Sequence, residues 1–256
     1  MDAGRRLNGS VPAGQTTGSG QVELVAWNKP SVVADSFRLV LTSILFGDRH
    51  GSPRVIVLSS ANPKEGKTTV ISNLAVAIAE ANQRVLLIDG DMRRPRIHEI
   101  FGVENGPGVA DLLRELNPLD AASVKRLVRA SGIPNLSLLT SGHSDLAAMN
   151  LVYSPRLEEA VHFLRQDYDI VLIDSPPALQ MADARVLARC ADAVILVVRA
   201  QRTMRDAAKL ACERFAQDGT HIFGAILNDW EPQESPSYAY RKYYDHYHSY
   251  YGGKRE

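Results

Sequence analysis

The chain has no net charge, because 29 Lys plus Arg balance 29 Asp plus Glu. That balance removes the overall basic field with which proteins hold nucleic acid, so no nucleic-acid partner is expected and any charged ligand must be met locally. Cysteine is scarce: Cys190 and Cys212 sit in helical apolar patterns without metal-ligand neighbours. Such usage suits a reducing compartment and buried thiols, not a disulfide. Long hydrophobic runs are missing as well, the longest being Ala193 to Val198, far short of the ~20 residues that cross a bilayer as a helix. With no signal-type apolar segment at the N-terminus either, a soluble, cytoplasmic protein is expected. Residues 1–21 have almost no large apolar side chains and are rich in Gly, Ser, Thr and Asn. Burial there cannot repay ordering entropy, and a disordered lead-in is expected.

What the chain does have is a 45% hydrophobic content over 256 residues, enough for one α/β domain spanning residues 22–228. Val22 to Trp27 reads as a short edge strand. Ser31 then caps a helix from about Val32 to Phe46, with Val33, Phe37, Val40, Leu41, Ile44 and Leu45 on one face. Apolar runs without polar alternation, at Arg54 to Ser59, Arg84 to Asp89 and Asp169 to Asp174, read as parallel strands covered on both faces. Further strands are expected at Leu136 to Leu139, Ala193 to Val198 and His221 to Leu227. Helices are expected at Thr68 to Ala81, from Pro95 to Gly102, and at Val109 to Leu116, Ala121 to Ala130, Ser154 to Gln166, Ala182 to Arg189 and Thr203 to Gln217. Strands alternating with helices at this spacing predict a doubly wound, mostly parallel sheet.

Three strand ends carry chemistry. Ser59 to Thr69 reads S-S-A-N-P-K-E-G-K-T-T between a strand and a helix, the context of a phosphate-binding loop. In such a loop backbone amides wrap the phosphates, the Lys reaches the β and γ oxygens and the Ser/Thr hydroxyl ligates magnesium. Gly66, Lys67 and Thr68 hold those places, while Ala61 stands where the first glycine of the strict pattern would be. The second strand ends in Asp89-Gly90-Asp91-Met92-Arg93, two carboxylates at i and i+2 at the edge where open α/β sheets bind ligands. That spacing predicts that both aim to one side. The third ends in Asp174-Ser175-Pro176-Pro177, and an acid in that place typically holds magnesium through its water shell. His98 and His143 stand without a second ligand at metal spacing and read as packing or surface histidines.

After Asp229 the apolar periodicity stops. Ser237 to Tyr251 holds Tyr238, Tyr240, Tyr243, Tyr244, Tyr247, Tyr250 and Tyr251 with no Leu, Ile, Val or Phe to build a core around them. Residues 229–256 are expected to form a flexible, phenol-rich tail. Three readings stand open: a stacking surface for RNA or sugar, a low-complexity adhesive segment, and a string of phosphate acceptors.

Taken in order, E-G-K-T-T, L-L-I-D-G-D-M-R-R-P-R-I-H, V-L-I-D-S-P-P and the tyrosine cluster resemble the bacterial protein-tyrosine kinases of capsule and exopolysaccharide synthesis. The likeness runs from about Val22 to Tyr251, with lesser matches at F-G-V-E-N-G-P-G-V-A-D-L-L, A-D-A and G-A-I-L-N. It implies a fold like that of P-loop NTPases and an ATP-dependent autokinase, with the seven tail tyrosines as acceptors, reached in trans from a neighbouring subunit. ATP would be held by Asn62, Pro63, Lys64, Glu65, Gly66, Lys67, Thr68 and Thr69, with Arg93 steadying the transferring phosphate and Asn228 facing the adenine. Mg2+ would be held by Thr68 with Asp89 and Asp174, directly or through water. Lys67, Asp89, Asp91 and Asp174 would form the catalytic set, with Asp89 or Asp91 accepting the tyrosine proton. The resemblance also implies a transmembrane polysaccharide co-polymerase as activator, a cognate tyrosine phosphatase and a peripheral position at the inner membrane face.

The chain departs from that pattern in places. Lys64 replaces the first glycine of Pro-Gly-Glu-Gly-Lys, which costs on the order of 1 kcal/mol if the position needs positive φ. Asp35, Arg38 and Leu41 stand where the family carries E-x-x-R-x-x-R, which weakens the expectation of a homo-oligomeric ring. Two other readings remain at this level: a partition or septum-positioning ATPase, and a nucleotide-binding scaffold with a phosphorylatable tail. The first usually carries a signature lysine five residues before the P-loop Lys, where Asn62 stands here.

Overall fold

The computed structural model describes residue 24 and residues 32–46 and 51–230. The lead-in at 1–21, the strand expected at Val22 to Trp27 apart from Leu24, and the tyrosine cluster lie outside the described residues. After α1 (Val32–Phe46), β1 (Val55–Ser60) leads into α2 (Lys67–Glu80) and β2 (Val85–Asp89). Then come α3 (Ile97–Phe101), α4 (Val109–Arg114), α5 (Ala121–Lys125), β3 (Arg129–Ala130), β4 (Leu136–Leu139), α6 (Leu146–Leu151) and α7 (Arg156–Leu164). β5 (Ile170–Asp174), α8 (Asp183–Arg189), β6 (Ala193–Arg199), α9 (Arg205–Gln217) and β7 (Ile222–Asn228) complete the order.

Among the described residues the strands form one sheet in the order β3-β4-β2-β5-β1-β6-β7. All neighbours pair in parallel except β3 with β4. Alternation along β1 explains the two layers. Val55 and Val57 belong to a core shared with Leu112, Leu157, Leu187 and Phe215, whereas Ile56 and Leu58 belong to one shared with Ile44, Ile71, Leu74 and Ile78. Strands that bury both faces have no place for polar alternation, which is why their sequences read as continuous apolar runs.

The N-terminal edge of the sheet is clipped by two carboxylates. Asp169 accepts the Arg84 backbone amide at 2.8 Å and its guanidinium at 2.7 Å, tying the starts of β2 and β5. Asp192 accepts the amides of Arg54 and Val55 at 2.9 and 2.8 Å, tying β1 to β6. The opposite, C-terminal edge is left for the loops that carry the chemistry.

Some expectations need correction. On α1 the buried stripe runs through Ala34, Leu41 and Ile44, with Phe37 packed beside it. Val33 is 50% exposed: it lies at the margin of that stripe, in the first turn of the helix. The helix expected to reach Ala130 stops at Lys125, and Arg129 and Ala130 pair antiparallel with Leu138 and Ser137; strand pairing overrides local helix preference there. α6 was not expected at all. Its N-cap Asp145 accepts the Ala148 amide at 2.8 Å, a start signal present in D-L-A-A-M-N-L.

The Arg84 partner, first through its hydrogen bonds, holds the Asp169 carboxyl down from 3.8 to about 2. A depressed folded value means stabilisation that is present above the ordinary carboxylate value and lost as pH falls through the folded one. Asp169→Asn is therefore expected to lower stability at neutral pH and to flatten its decline between about pH 4 and 2. Circular dichroism across an acid titration checks this; an unchanged acid transition would overturn it.

Candidate active site

β1 ends at Ser60, and the next six residues turn the chain into α2. Two of them adopt positive φ: Lys64 at 64° and Gly66 at 94°. Lys64 thus occupies a left-handed conformation with a side chain, as its replacement of a glycine foreshadowed. Gly66 has no substitute, since a Cβ there would lie 2.1 Å from Asn228 Nδ2. No side chain caps α2 at Gly66, which leaves its first-turn amides for phosphate oxygens.

The loop is braced from below and from one side. Glu65, 3% exposed, accepts the Asn62 amide at 3.0 Å, the Asn62 side chain at 3.2 Å and the Thr203 hydroxyl at 2.6 Å. Its carbonyl accepts from Asn228 Nδ2 at 3.0 Å. Arg199 donates to the Lys64 carbonyl at 3.0 Å and to Asp229 at 2.6 Å. Asn62, Glu65 and Asn228 therefore hold the loop's shape. Asn228, expected to face a base, donates its side-chain amide to the loop.

Beyond the loop lies a cleft of about 810 Å³. It is lined by Pro63, Lys64, Gly66, Lys67, Thr68 and Thr69 on one side, Asp91, Arg93, Arg94 and Arg96 on another, and Pro176 and Pro177 on a third. The structure thus brings the three expected strand ends together around one space. Arg199, Gln180 and Met181 also line it and were not anticipated. Arg199 closes β6 at the same sheet edge, so its position was a usable signal; Gln180 and Met181 carry no motif.

Under the cleft, Asp89 and Asp174 are register partners on β2 and β5, 0% and 1% exposed. Thr68 donates its hydroxyl to Asp174 Oδ2 at 2.7 Å. Asp89 Oδ2 accepts the amides of Arg96 and Ile97 at 3.1 and 3.0 Å. Burial pushes the Asp174 carboxyl up to about 7, against the pull of nearby Lys67. Burial, and then the neighbouring Asp174, raise Asp89 well above the carboxylate range. Each retains one buried oxygen, Oδ1, that meets no partner among the described residues. The i, i+2 spacing did not aim Asp89 and Asp91 alike: Asp89 lies beneath the cleft and Asp91 lines it, because β2 ends at Asp89 and alternation ends with it.

This donor set fits magnesium with a nucleotide phosphate. Among the described residues no group of three or more His, Cys, Asp or Glu could hold a metal by itself. A hard cation would draw on the Thr68 hydroxyl, the Asp174 and Asp89 carboxylates, phosphate oxygens and water, the mixture magnesium favours over an all-protein cage. The seven acceptor tyrosines lie outside the described residues.

Two substitutions test the loop. Gly66→Ala is expected to weaken ADP binding by at least about tenfold, because the new methyl must displace Asn228 at a φ that L side chains resist. Lys64→Gly is expected to bind ADP as before and to gain up to about 1 kcal/mol of stability as the left-handed strain is relieved. Isothermal calorimetry and urea melts measure both, and wild-type affinity in Gly66→Ala would contradict the first.

Comparison with known proteins bears directly on this geometry. The AAA domain family model matches residues 53–217. Tyrosine-protein kinase YwqD of Bacillus subtilis is 33% identical over 221 residues, 86% of this chain and 91% of its own length. Longer relatives are matched over one part only: Tyrosine-protein kinase wzc of Salmonella typhimurium is 33% identical over 81% of this chain but 28% of its own length. Among solved structures, the kinase domain of Escherichia coli tyrosine kinase ETK superposes with a TM-score of 0.73 at 30% identity, covering 80% of this chain and 78% of that one. The septum site-determining protein MinD of Pyrococcus horikoshii, complexed with Mg-ADP, gives 0.60 at 26% identity, covering 74% and 76%. The mostly parallel sheet with its P-loop edge is common to both, and the extent of the likeness to YwqD places this chain in the family of bacterial tyrosine-protein kinases.

Proposed function

We propose that the protein transfers the γ-phosphate of ATP to tyrosine hydroxyls, those of its own C-terminal cluster foremost. The observation that carries the reading is the convergence of Lys67, Thr68, Asp91 and the buried Asp89–Asp174 pair on one cleft, in a chain that ends in seven clustered tyrosines. Lys67 and the amides from Gly66 onward hold the β and γ phosphates. Thr68, Asp174 and Asp89 would hold magnesium, which would supply charge neutralisation at the phosphates. The phenol oxygen attacks the γ phosphorus, the bond to the β–γ bridging oxygen breaks, ADP leaves and the phenolic proton passes to Asp91, which lines the cleft. Asp89, locked to the amides of Arg96 and Ile97, shapes the metal side of the site. Such transfer depends on positioning and charge more than on a strong base.

Acceptor tyrosines come from a neighbouring copy in this proposal, so catalysis proceeds in trans. The Asp35–Arg38 ion pair at 2.6 Å and the buried Leu41 occupy the oligomerisation spacing, so any assembly through α1 uses other contacts than the family's charged pattern. The proposal extends to regulation of exopolysaccharide synthesis through a membrane-bound co-polymerase and a tyrosine phosphatase. Among the described residues no helix is long and apolar enough to cross a membrane; in this proposal the co-polymerase supplies the membrane contact.

Incubation of the purified protein with ATP and magnesium, followed by phosphotyrosine detection, tests the reading. Lys67→Met is expected to lower phosphotyrosine formation by about 10²- to 10³-fold. Equal signal in the variant, or none in the wild type with a membrane partner present, would overturn the proposal; ATP hydrolysis without phosphotyrosine would favour a partition-type ATPase.

A further inference from the structure

Asp183, in the first turn of α8, is 5% exposed, and both of its carboxylate oxygens are engaged. Oδ2 accepts from Nε of Arg93 at 2.9 Å, and Oδ1 accepts from the phenol of Tyr153 at 2.9 Å. The three residues come from separate places: the loop after β2, the turn between α6 and α7, and α8. Among the described residues the guanidinium of Arg93 meets no other hydrogen-bond acceptor, so its two terminal nitrogens are left over, and Arg93 lines the cleft with Lys67 and Thr68.

We infer that Asp183, itself fixed by Tyr153, is a positioning residue that holds Arg93 ready for the terminal phosphate of ATP. The inference rests on the proposed use of the cleft for ATP. An arginine is a long side chain whose freedom must be given up when it grips an anion, and a planar fork fixed beforehand loses less. Capture through Nε sets the plane of the guanidinium and leaves the nitrogens suited to paired bonds with phosphate oxygens. Tyr153 completes the arrangement by occupying the second carboxylate oxygen, which stops Asp183 from turning away. Its hydrogen bond to Asp183, the foremost cause, raises the phenol above its ordinary value, so it remains a donor at neutral pH. Neither Asp183 nor Tyr153 touches the phosphate in this arrangement; both act through Arg93.

The discriminating measurement is calorimetric binding of magnesium with AMP-PNP, a non-hydrolysable analogue that keeps the third phosphate, compared with ADP, to the full chain. Arg93→Ala and Asp183→Asn are each expected to reduce the preference for AMP-PNP by about tenfold, the scale of a charge-assisted hydrogen bond. The double variant should lose no more than either single one, and Tyr153→Phe should lose about two- to threefold. A merely structural role for Asp183 would weaken both nucleotides alike and would add to the Arg93→Ala loss. Additive losses, or an unchanged preference in Asp183→Asn and in the exposed Tyr153→Phe, which removes a single hydroxyl, would overturn the inference. A wild type that shows the Arg93-dependent preference but forms no phosphotyrosine would sustain the inference and refute the kinase reading instead.

Discussion

Two carboxylates that share a register position at the buried end of a parallel sheet impose the main constraint on this molecule. Asp89 and Asp174 have almost no contact with water, and like charges so placed cannot both be ionised without compensation. The surrounding structure supplies partial compensation from several directions: the Thr68 hydroxyl, two loop amides from Arg96 and Ile97, and the field of Lys67. Gly90 permits the close approach, since a Cβ there would stand 2.6 Å from the Asp174 carbonyl oxygen. What the protein leaves unanswered, one oxygen on each acid, a magnesium ion and its water shell would answer.

The phosphate loop obeys a second constraint, set by its own irregularity. A lysine at φ 64° is held in a conformation that glycine would adopt freely. The cost is met by contacts that grip the neighbouring backbone: Arg199 on the Lys64 carbonyl, Asn228 on the Glu65 carbonyl, and the Glu65 side chain inside the turn. These braces come from β6, β7 and the segment after β6, elements far from the loop in sequence. Through Arg199 the same network reaches Asp229, just past the end of β7, so the start of the C-terminal segment and the nucleotide loop share one side chain.

The core strands and the P-loop were legible because their signals are local. An unbroken apolar run such as V-L-L-I-D reports burial on both faces, and Gly66-Lys67-Thr68 between strand and helix reports a phosphate site. Asp174 was found for the same reason, as the end of such a run. The misreadings arose where the decisive partner is distant. Arg129 and Ala130 sit in a helix-compatible stretch and become a strand through pairing with β4. The divergence of Asp89 and Asp91 depends on where β2 stops hydrogen bonding to β5. The link from Tyr153 through Asp183 to Arg93 joins residues 30 and 90 positions apart, and no spacing rule connects them.

The fold shared with the septum-site ATPases does not by itself decide between hydrolysis and transfer to a protein. In the proposed use of the cleft, both reactions would draw on Lys67, Thr68 and Asp174 to gather the phosphates and the metal. They differ in what the rest of the edge must offer. A septum-type ATPase usually relies on a lysine where this chain has Asn62, and here that residue is turned inward, with its backbone amide and side chain both on Glu65. Transfer to a phenol needs room beside the phosphates, an acceptor for its proton and a cation on the far side of the moving group. Asp91 and Arg93 line the same cleft as the loop, the first a carboxyl group and the second a cation held by Asp183. Hydrolysis must also orient its water and steady the moving group, so what favours tyrosine as the acceptor is the clustered tyrosines of this chain together with its likeness to the tyrosine-protein kinases.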